Sequence, residues 1–269
     1  MALVDTRINY FTPPLDGSKA FFYTSLTAPD GGPNKNFDNV EFPVQVENVR
    51  GREKSPELSL DVSGFEFHTS PTSVKDFGDE ELVKSKYYEE CVQNIKRITE
   101  ASKIVIFDHT IRGRVPEGTV EGPGNRGPAR AAHVDQSAAA AERRVYRHLP
   151  ESEVPSLLSK RYQIINLWRP INNPVCVASD KEGDVVPVTL KYPDRDGETL
   201  GVKYNSQHKW KYLAGMTPDE FVLIKCSDSK LDGSVAAFTP HTAFEDPTTP
   251  ADAPDRQSIE IRSLVFYDE

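Results

Sequence analysis

An all-β core with flanking helices, of the jelly-roll kind, is the fold this sequence predicts. Three observations carry it. Short apolar strands bounded by turn residues recur through the second half of the chain. The clearest helical pattern comes before most of them, and Pro and Gly, 21 and 16 of 269 residues, punctuate the whole length without collecting into a linker. A helix followed mainly by strands suits a layered sandwich or barrel.

In chain order, residues 42–49 alternate apolar and polar as a half-buried strand does, and residues 64–68 repeat the alternation. A helix is expected over about 79–101, where Leu82, Val92, Ile95 and Ile98 recur with no Pro inside, so that one side packs on a sheet. Strands follow at 103–107, 162–168, 185–190, 221–226 and 259–266. Between the first two, Ser137 is placed to N-cap a short helix over 138–145. The reading is a single domain over 1–269, with N-terminal strands and helix to about 102 and a jelly-roll core over about 103–269.

With 32 Lys and Arg against 41 Asp and Glu, the net charge of −9 excludes the clustered basic face of a nucleic-acid binder. Apolar residues make up 37% of the chain, enough for a buried core. No window nears the roughly 18 apolar residues of a membrane helix, and the first residues lack the basic and apolar regions of a secretory signal. Cys91, Cys176 and Cys226 are odd in number and far apart. A soluble cytoplasmic protein without a membrane partner is expected, its oligomeric state left open.

Chemistry concentrates at His133 and Asp135. Side chains two apart in a strand leave on one face, so both can reach one ion; a polar pair at a strand end is the plainer reading. His241 supplies a second imidazole, and two His with one carboxylate form the facial triad of non-haem Fe(II) oxygenases, although zinc also suits such a set. Arg262, on the last apolar strand, offers the rigid fork that clamps a dicarboxylate cosubstrate. Arg256, in the preceding Pro-rich loop, is its rival, and an edge-strand ion pair is the alternative role for Arg262. Periodicity puts Glu260, Arg262 and Leu264 on one face of that strand and Ile259, Ile261 and Ser263 on the other, without saying which is inside.

Asn166 and Trp168 share a face of the strand over 162–168, with Arg169 on the other. Asn166 is a candidate for contact with cosubstrate or iron-bound water, with a structural hydrogen bond as the alternative, and Trp168 and Arg169 for contact with substrate. His109 and Arg112 can touch substrate near the barrel mouth, although a buried pair between Asp108 and an Arg is the competing expectation. Lys209 and Trp210 read as packing and turn residues, and the Gly- and Pro-rich loop over 114–130 as a lid, with a merely mobile loop as the plainer reading.

The strings HVDQSAAAAERRVYRHLP from His133, QIINLWRPINNPV from Gln163, KYNSQHKWKYLAGMTPDEFVLIKCSDS from Lys203, FTPHTAFEDP from Phe238 and SIEIRSLVFY from Ser258 occur in this order. Together they resemble the fungal hydroxylase/desaturase family, which includes gibberellin desaturase-like enzymes and is related to a component of cephamycin methoxylation. The resemblance spans about residues 40–267. It implies a double-stranded β-helix of the cupin-like kind that uses Fe(II), 2-oxoglutarate and O2 to oxidise a small organic molecule, often in secondary metabolism. On that pattern His133, Asp135 and His241 hold iron and Arg262 clamps the cosubstrate. One departure stands out: many oxygenases of the wider superfamily carry a Ser two residues after the clamping Arg, where this chain has Leu264. A catalytically inactive partner subunit and a cupin-like metal-dependent hydrolase or isomerase are the competing functions.

Overall fold

The computed structural model describes residues 2–25, 28–113, 126–171, 176–179, 184–250 and 252–268. Most of the expected lid, over 114–125, lies outside them. Two sheets face each other. The smaller has five strands in the order β4 (Phe65–Thr69), β12 (Glu220–Asp228), β7 (Tyr162–Pro170), β14 (Ser258–Phe266) and β5 (Lys103–Arg112), with every neighbouring pair antiparallel. The larger has nine, ordered β1 (Ala2–Thr12), β3 (Asp38–Asn48), β11 (Lys209–Tyr212), β8 (Cys176–Ser179), β13 (His241–Thr242), β6 (His133–Val134), β10 (Asp196–Val202), β9 (Val185–Lys191) and β2 (Ala20–Tyr23).

The central strands β7, β12 and β14 are buried along almost their whole length because both of their faces are covered. On one side lies the helix, beginning as α1 (Glu80–Leu82), passing through a π-helical turn at Val83–Tyr87 and continuing as α2 (Tyr88–Thr99). The Asp79 carboxylate caps it by accepting from the Leu82 amide at 3.0 Å, and Glu100 ends it in the left-handed region at φ 59°. Its fully buried stripe is Val83, Tyr87, Cys91 and Ile95, packed with Ile259, Ile261 and Val265 of β14. The apolar positions seen in the sequence, Leu82 and Ile98, flank that stripe and are half-buried.

The other face of the same sheet carries Ile164, Trp168, Val222, Ile224 and Leu264. It packs on Ala141 and Val145 of α3 (Ala138–His148) and on Val154 of α4 (Val154–Leu158). Ser137 caps α3 as its sequence predicts, its hydroxyl accepting from the Ala140 amide at 3.1 Å. This inner face is where Glu260 and Arg262 point, which settles the orientation that periodicity left open.

The N-terminal segment is woven into the larger sheet. β1 pairs with β3 along its full length, and β3 runs parallel to β11. Lys209 and Trp210 therefore lie in a strand, a correction to their reading as turn residues: Trp210 is 1% exposed and donates from its indole to Tyr10 Oη at 2.6 Å. At the far end of β12, buried Lys225 is enclosed by Asp228 at 2.8 Å and Asp61 at 2.9 Å, and Arg161 bonds both carboxylates.

Candidate active site

β6 and β13 are two residues long each, and they put His133 directly opposite His241 as an antiparallel cross-strand pair. The imidazole centroids are 4.4 Å apart. Asp135, two residues beyond His133, leaves on the same side. Its Oδ1 lies 3.3 Å from His133 Nε2 and 3.9 Å from His241 Nε2. One ligand atom from each of the three residues falls within 4.8 Å of the others, a spacing that can hold a metal ion.

The backbone presents these atoms correctly. His133 Nδ1 is 2.8 Å from the Ala131 carbonyl and His241 Nδ1 is 3.3 Å from the Thr239 carbonyl. Each Nδ1 therefore carries a proton and donates it, which turns each Nε2 toward the shared space, the usual arrangement behind a ligating His. Thr239 is itself pinned, since its hydroxyl donates to Ser63 O at 2.9 Å and its amide to Lys225 O at 2.7 Å. Gly64 makes the close approach possible: a Cβ there would lie 1.9 Å from Thr239 Oγ1, at a backbone φ of +78°.

Charge reinforces the geometry. Burial would raise the Asp135 carboxyl, but the Arg262 guanidinium and the two histidines outweigh it and hold the group well below its ordinary range. Burial and the neighbouring His133 push His241 down, whereas for His133 the bonded Asp135 carboxylate overcomes burial and raises the imidazole. An anionic carboxylate between two imidazoles suits a divalent cation of the first transition row.

Arg262 sits beside this group, and it is not placed to clamp a cosubstrate. Its Nε donates to Asp135 Oδ2 at 2.8 Å, its Nη2 to Glu260 Oε2 at 2.8 Å and its Nη1 to Thr110 Oγ1 at 2.7 Å, with Asp108 at 3.4 Å. Every nitrogen is committed to protein oxygens, which corrects the expectation drawn from its strand position. Asp108 does pair with an Arg, as the competing expectation for this strand has it, but at 3.4 Å and with its own side chain 51% exposed, so the pair is not the buried one expected. Asn166 is likewise turned to the protein: its Nδ2 donates to Asp135 Oδ2 at 2.8 Å and Glu260 Oε1 at 2.9 Å. Its Oδ1 is buried without a partner among the described residues.

The uncommitted cation is Arg256, just before β14. Among the described residues it has no ion pair or hydrogen bond, and its guanidinium lies 6.0 Å from the centre of the Trp168 ring. Burial and repulsion from Arg112 and Arg130 push its pKa down to about 10. Two residues on, the Ser258 hydroxyl is buried and unpartnered among the described residues, and Ser258 pairs with Arg112 across β14 and β5. The Arg followed two residues later by Ser, missing at Arg262, is thus present at Arg256 and Ser258.

The other expected residues divide. Trp168 and Arg112 face the interior, Arg112 donating to Gly127 O at 2.9 Å. His109 and Arg169 point to the helical side, which corrects their assignment to substrate. His109 Nδ1 is 2.7 Å from Tyr88 Oη, and Arg169 is buried between the Tyr87 and Phe221 rings with its Nε donating to Tyr87 Oη at 3.0 Å. Their odd positions put them on the opposite faces of β5 and β7. Sequence reasoning passed over Glu260 and Thr110, although their parity with Arg262 and Arg112 placed them on this face.

A family model described as an oxidoreductase/YMDC permease-like domain matches residues 8–266. The chain is 34% identical to the hydroxylase/desaturase efuI of Hormonema carpetanum over 99% of this chain and 96% of that protein. The chain belongs to the fungal hydroxylase/desaturase family. The Fe(II)/2-oxoglutarate-dependent dioxygenase nvfI of Aspergillus novofumigatus is 30% identical over 95% of this chain and 94% of its own length. A solved structure of a variant of the iron and alpha-ketoglutarate-dependent endoperoxidase NvfI superposes with a TM-score of 0.87 at 25% identity, covering 99% of this chain and 98% of that one. The hydroxylase/desaturase is accordingly an oxidoreductase of the dioxygenase class, built on the jelly-roll-like fold of that oxygenase. Iron, 2-oxoglutarate and O2 are the cofactors of its family.

Proposed function

We propose that this hydroxylase/desaturase binds Fe(II) through His133 Nε2, Asp135 Oδ1 and His241 Nε2, and that Arg256 and Ser258 receive the distal carboxylate of 2-oxoglutarate. The observation that carries the reading is the convergence of those three ligand atoms, each imidazole held in the metal-binding tautomer by a backbone carbonyl. When bound, the iron with its cosubstrate and O2 supplies the oxidation of an unactivated C–H bond, giving succinate and CO2 as coproducts.

The protein contributes position. A facial set of two His and one carboxylate leaves the opposite coordination positions free for the cosubstrate and O2. Arg256 provides a guanidinium that fits a carboxylate in two parallel hydrogen bonds, and Ser258 adds a hydroxyl donor. The charge of a bound dicarboxylate relieves the repulsion among Arg256, Arg112 and Arg130. Trp168 closes the apolar side of the site and Arg112 its polar rim, where a small organic substrate is held. The relatives' descriptions as hydroxylase/desaturase support hydroxylation or desaturation of such a molecule, in secondary metabolism. The buried, unpaired thiols of Cys91 and Cys226 support a reducing, cytoplasmic setting, with the chain working as one oxygenase domain.

The test is succinate formation from 2-oxoglutarate with Fe(II) under air. His133→Ala and Asp135→Ala are each expected to abolish it while circular dichroism shows an unchanged fold. Succinate formation at the wild-type rate by either variant rejects the ligand set.

A further inference from the structure

Asp135, Asn166, Glu260 and Arg262 form a closed ring. Asn166 Nδ2 donates to Asp135 Oδ2 at 2.8 Å and to Glu260 Oε1 at 2.9 Å, while Arg262 donates to Glu260 Oε2 at 2.8 Å and returns to Asp135 Oδ2 at 2.8 Å. Register builds it: Arg262 is the direct partner of Asn166 across β14 and β7 and of Asp108 across β14 and β5. Thr110 and Asp108 then fix the remaining nitrogen of the guanidinium. The Asn166, Glu260 and Arg262 side chains come from sheet interiors and are almost fully buried.

The ring treats the two oxygens of Asp135 differently. Oδ2 accepts two hydrogen bonds, one of them from a cation, whereas Oδ1 faces His133 and His241. A carboxylate offers about two lone-pair directions on each oxygen. Both directions on Oδ2 are taken, so chelation of a metal by both oxygens requires breaking at least one of them, the charge-assisted bond from Arg262 or the amide bond from Asn166. Chelation would also occupy a position that the cosubstrate and O2 need.

We infer that Arg262 and Asn166 are positioning residues that restrict Asp135 to ligation through Oδ1 alone, with Glu260 as the buried counter-anion that holds both in place. This rests on the ligand set proposed above. Arg262 acts through Asp135: each of its three nitrogens is engaged by protein oxygens, and its Nε is turned to the ligating carboxylate. Outer partners of this type typically contribute about 10- to 100-fold in metal affinity. Pre-ordering the carboxylate before the metal arrives is the physical source of that factor, because the side-chain rotamer is already selected.

The experiment compares Mn(II) binding, which needs neither O2 nor turnover, in the wild type, Arg262→Lys, Asn166→Ala and Asp135→Ala. Arg262→Lys keeps the positive charge beside Glu260 but removes the fork. Asn166→Ala changes no charge and decides the question if the lysine variant does not fold. Each is expected to weaken Mn(II) binding about 10- to 100-fold. Broadening of the Mn(II) electron paramagnetic resonance lines by oxygen-17 water is expected to report one water ligand fewer, as the released Oδ2 takes up its position. Unchanged affinity and unchanged water count in folded variants, with binding lost in Asp135→Ala, overturn the positioning role and leave the ligand set standing. Wild-type affinity in Asp135→Ala overturns the ligand set itself.

Discussion

Replacing Arg256 with Met removes a cation that the ligand-free protein holds at a disadvantage. Its pKa is pushed down to about 10 from the ordinary guanidinium range, first by burial and then by Arg112 and Arg130. At about 1.4 kcal/mol for each tenfold change, the folded state disfavours this charge by about 3 kcal/mol. The sign follows from linkage: a cation whose folded pKa is lowered destabilises the fold at every pH below about 10, and the penalty fades as pH rises from there to the unfolded value. Loss of the contact with Trp168 offsets about 1 kcal/mol of the gain. Arg256→Met is therefore expected to be about 2 kcal/mol more stable without ligands, a rise in Tm of about 4 to 8 °C for a chain of this size. Binding moves the other way. Truncating one partner of a buried charge pair weakens it by about 2 to 5 kcal/mol, so the KM for 2-oxoglutarate is expected to rise from roughly 30-fold to several thousand-fold. Thermal melts of the Mn(II) protein with and without 2-oxoglutarate read both effects in one assay. A variant that melts lower than wild type and is still stabilised normally by 2-oxoglutarate refutes the reasoning, and the clamp must then lie elsewhere.

Three further outcomes are expected. Ser258→Ala should raise the same KM by only about 5- to 15-fold, the worth of one neutral hydrogen bond of about 1 to 1.5 kcal/mol, and an unchanged KM excludes the hydroxyl from the site. Gly64→Ala should destabilise the protein by about 2 to 4 kcal/mol, from overpacking against Thr239 together with a left-handed backbone, and should weaken metal binding by displacing His241; chemical denaturation with a Mn(II) titration checks both. Asp228→Asn should destabilise by about 3 to 5 kcal/mol, since it leaves buried Lys225 and Arg161 to share the half-exposed Asp61 carboxylate. Those two cations outweigh burial and hold the Asp228 carboxyl below its ordinary value. Its stabilisation is therefore complete above an unfolded pKa near 4 and is lost as pH falls through the folded value. Denaturation midpoints measured from pH 7 to pH 3 should converge for wild type and variant, and parallel curves contradict this.

The parts legible in the sequence were those with a local period or a fixed spacing. His133 and Asp135 lie two apart in extended chain, and the strands β7, β12 and β14 are rich in apolar residues bounded by turn signals, so both features need no tertiary knowledge. β1 carried the alternation of Val4, Ile8 and Tyr10, yet its role depends on pairing with β3 and β11, and only the sheet reveals that. Arg262 shows the limit of reasoning by residue type. A guanidinium on an inner face suits a dicarboxylate, but the register that sets Asn166 and Asp108 beside it, and brings Glu260 and Asp135 within reach, engages every one of its nitrogens. Arg256 was harder to favour because its loop has no period. The Ser two residues later was the available signal. His109 and Arg169 failed on parity: each is one residue away from a position that faces the interior.

The central claim is a metal centre that chelates 2-oxoglutarate, and anaerobic titration of the protein with Fe(II) and then 2-oxoglutarate tests it most directly. The weak visible charge-transfer band of the iron chelate is expected to appear in the wild type, to vanish in His241→Ala, and to need far more 2-oxoglutarate in Arg256→Met. Iron bound without that band at saturating 2-oxoglutarate contradicts the oxygenase assignment and favours a hydrolase or isomerase, and no iron binding at all contradicts the metal centre.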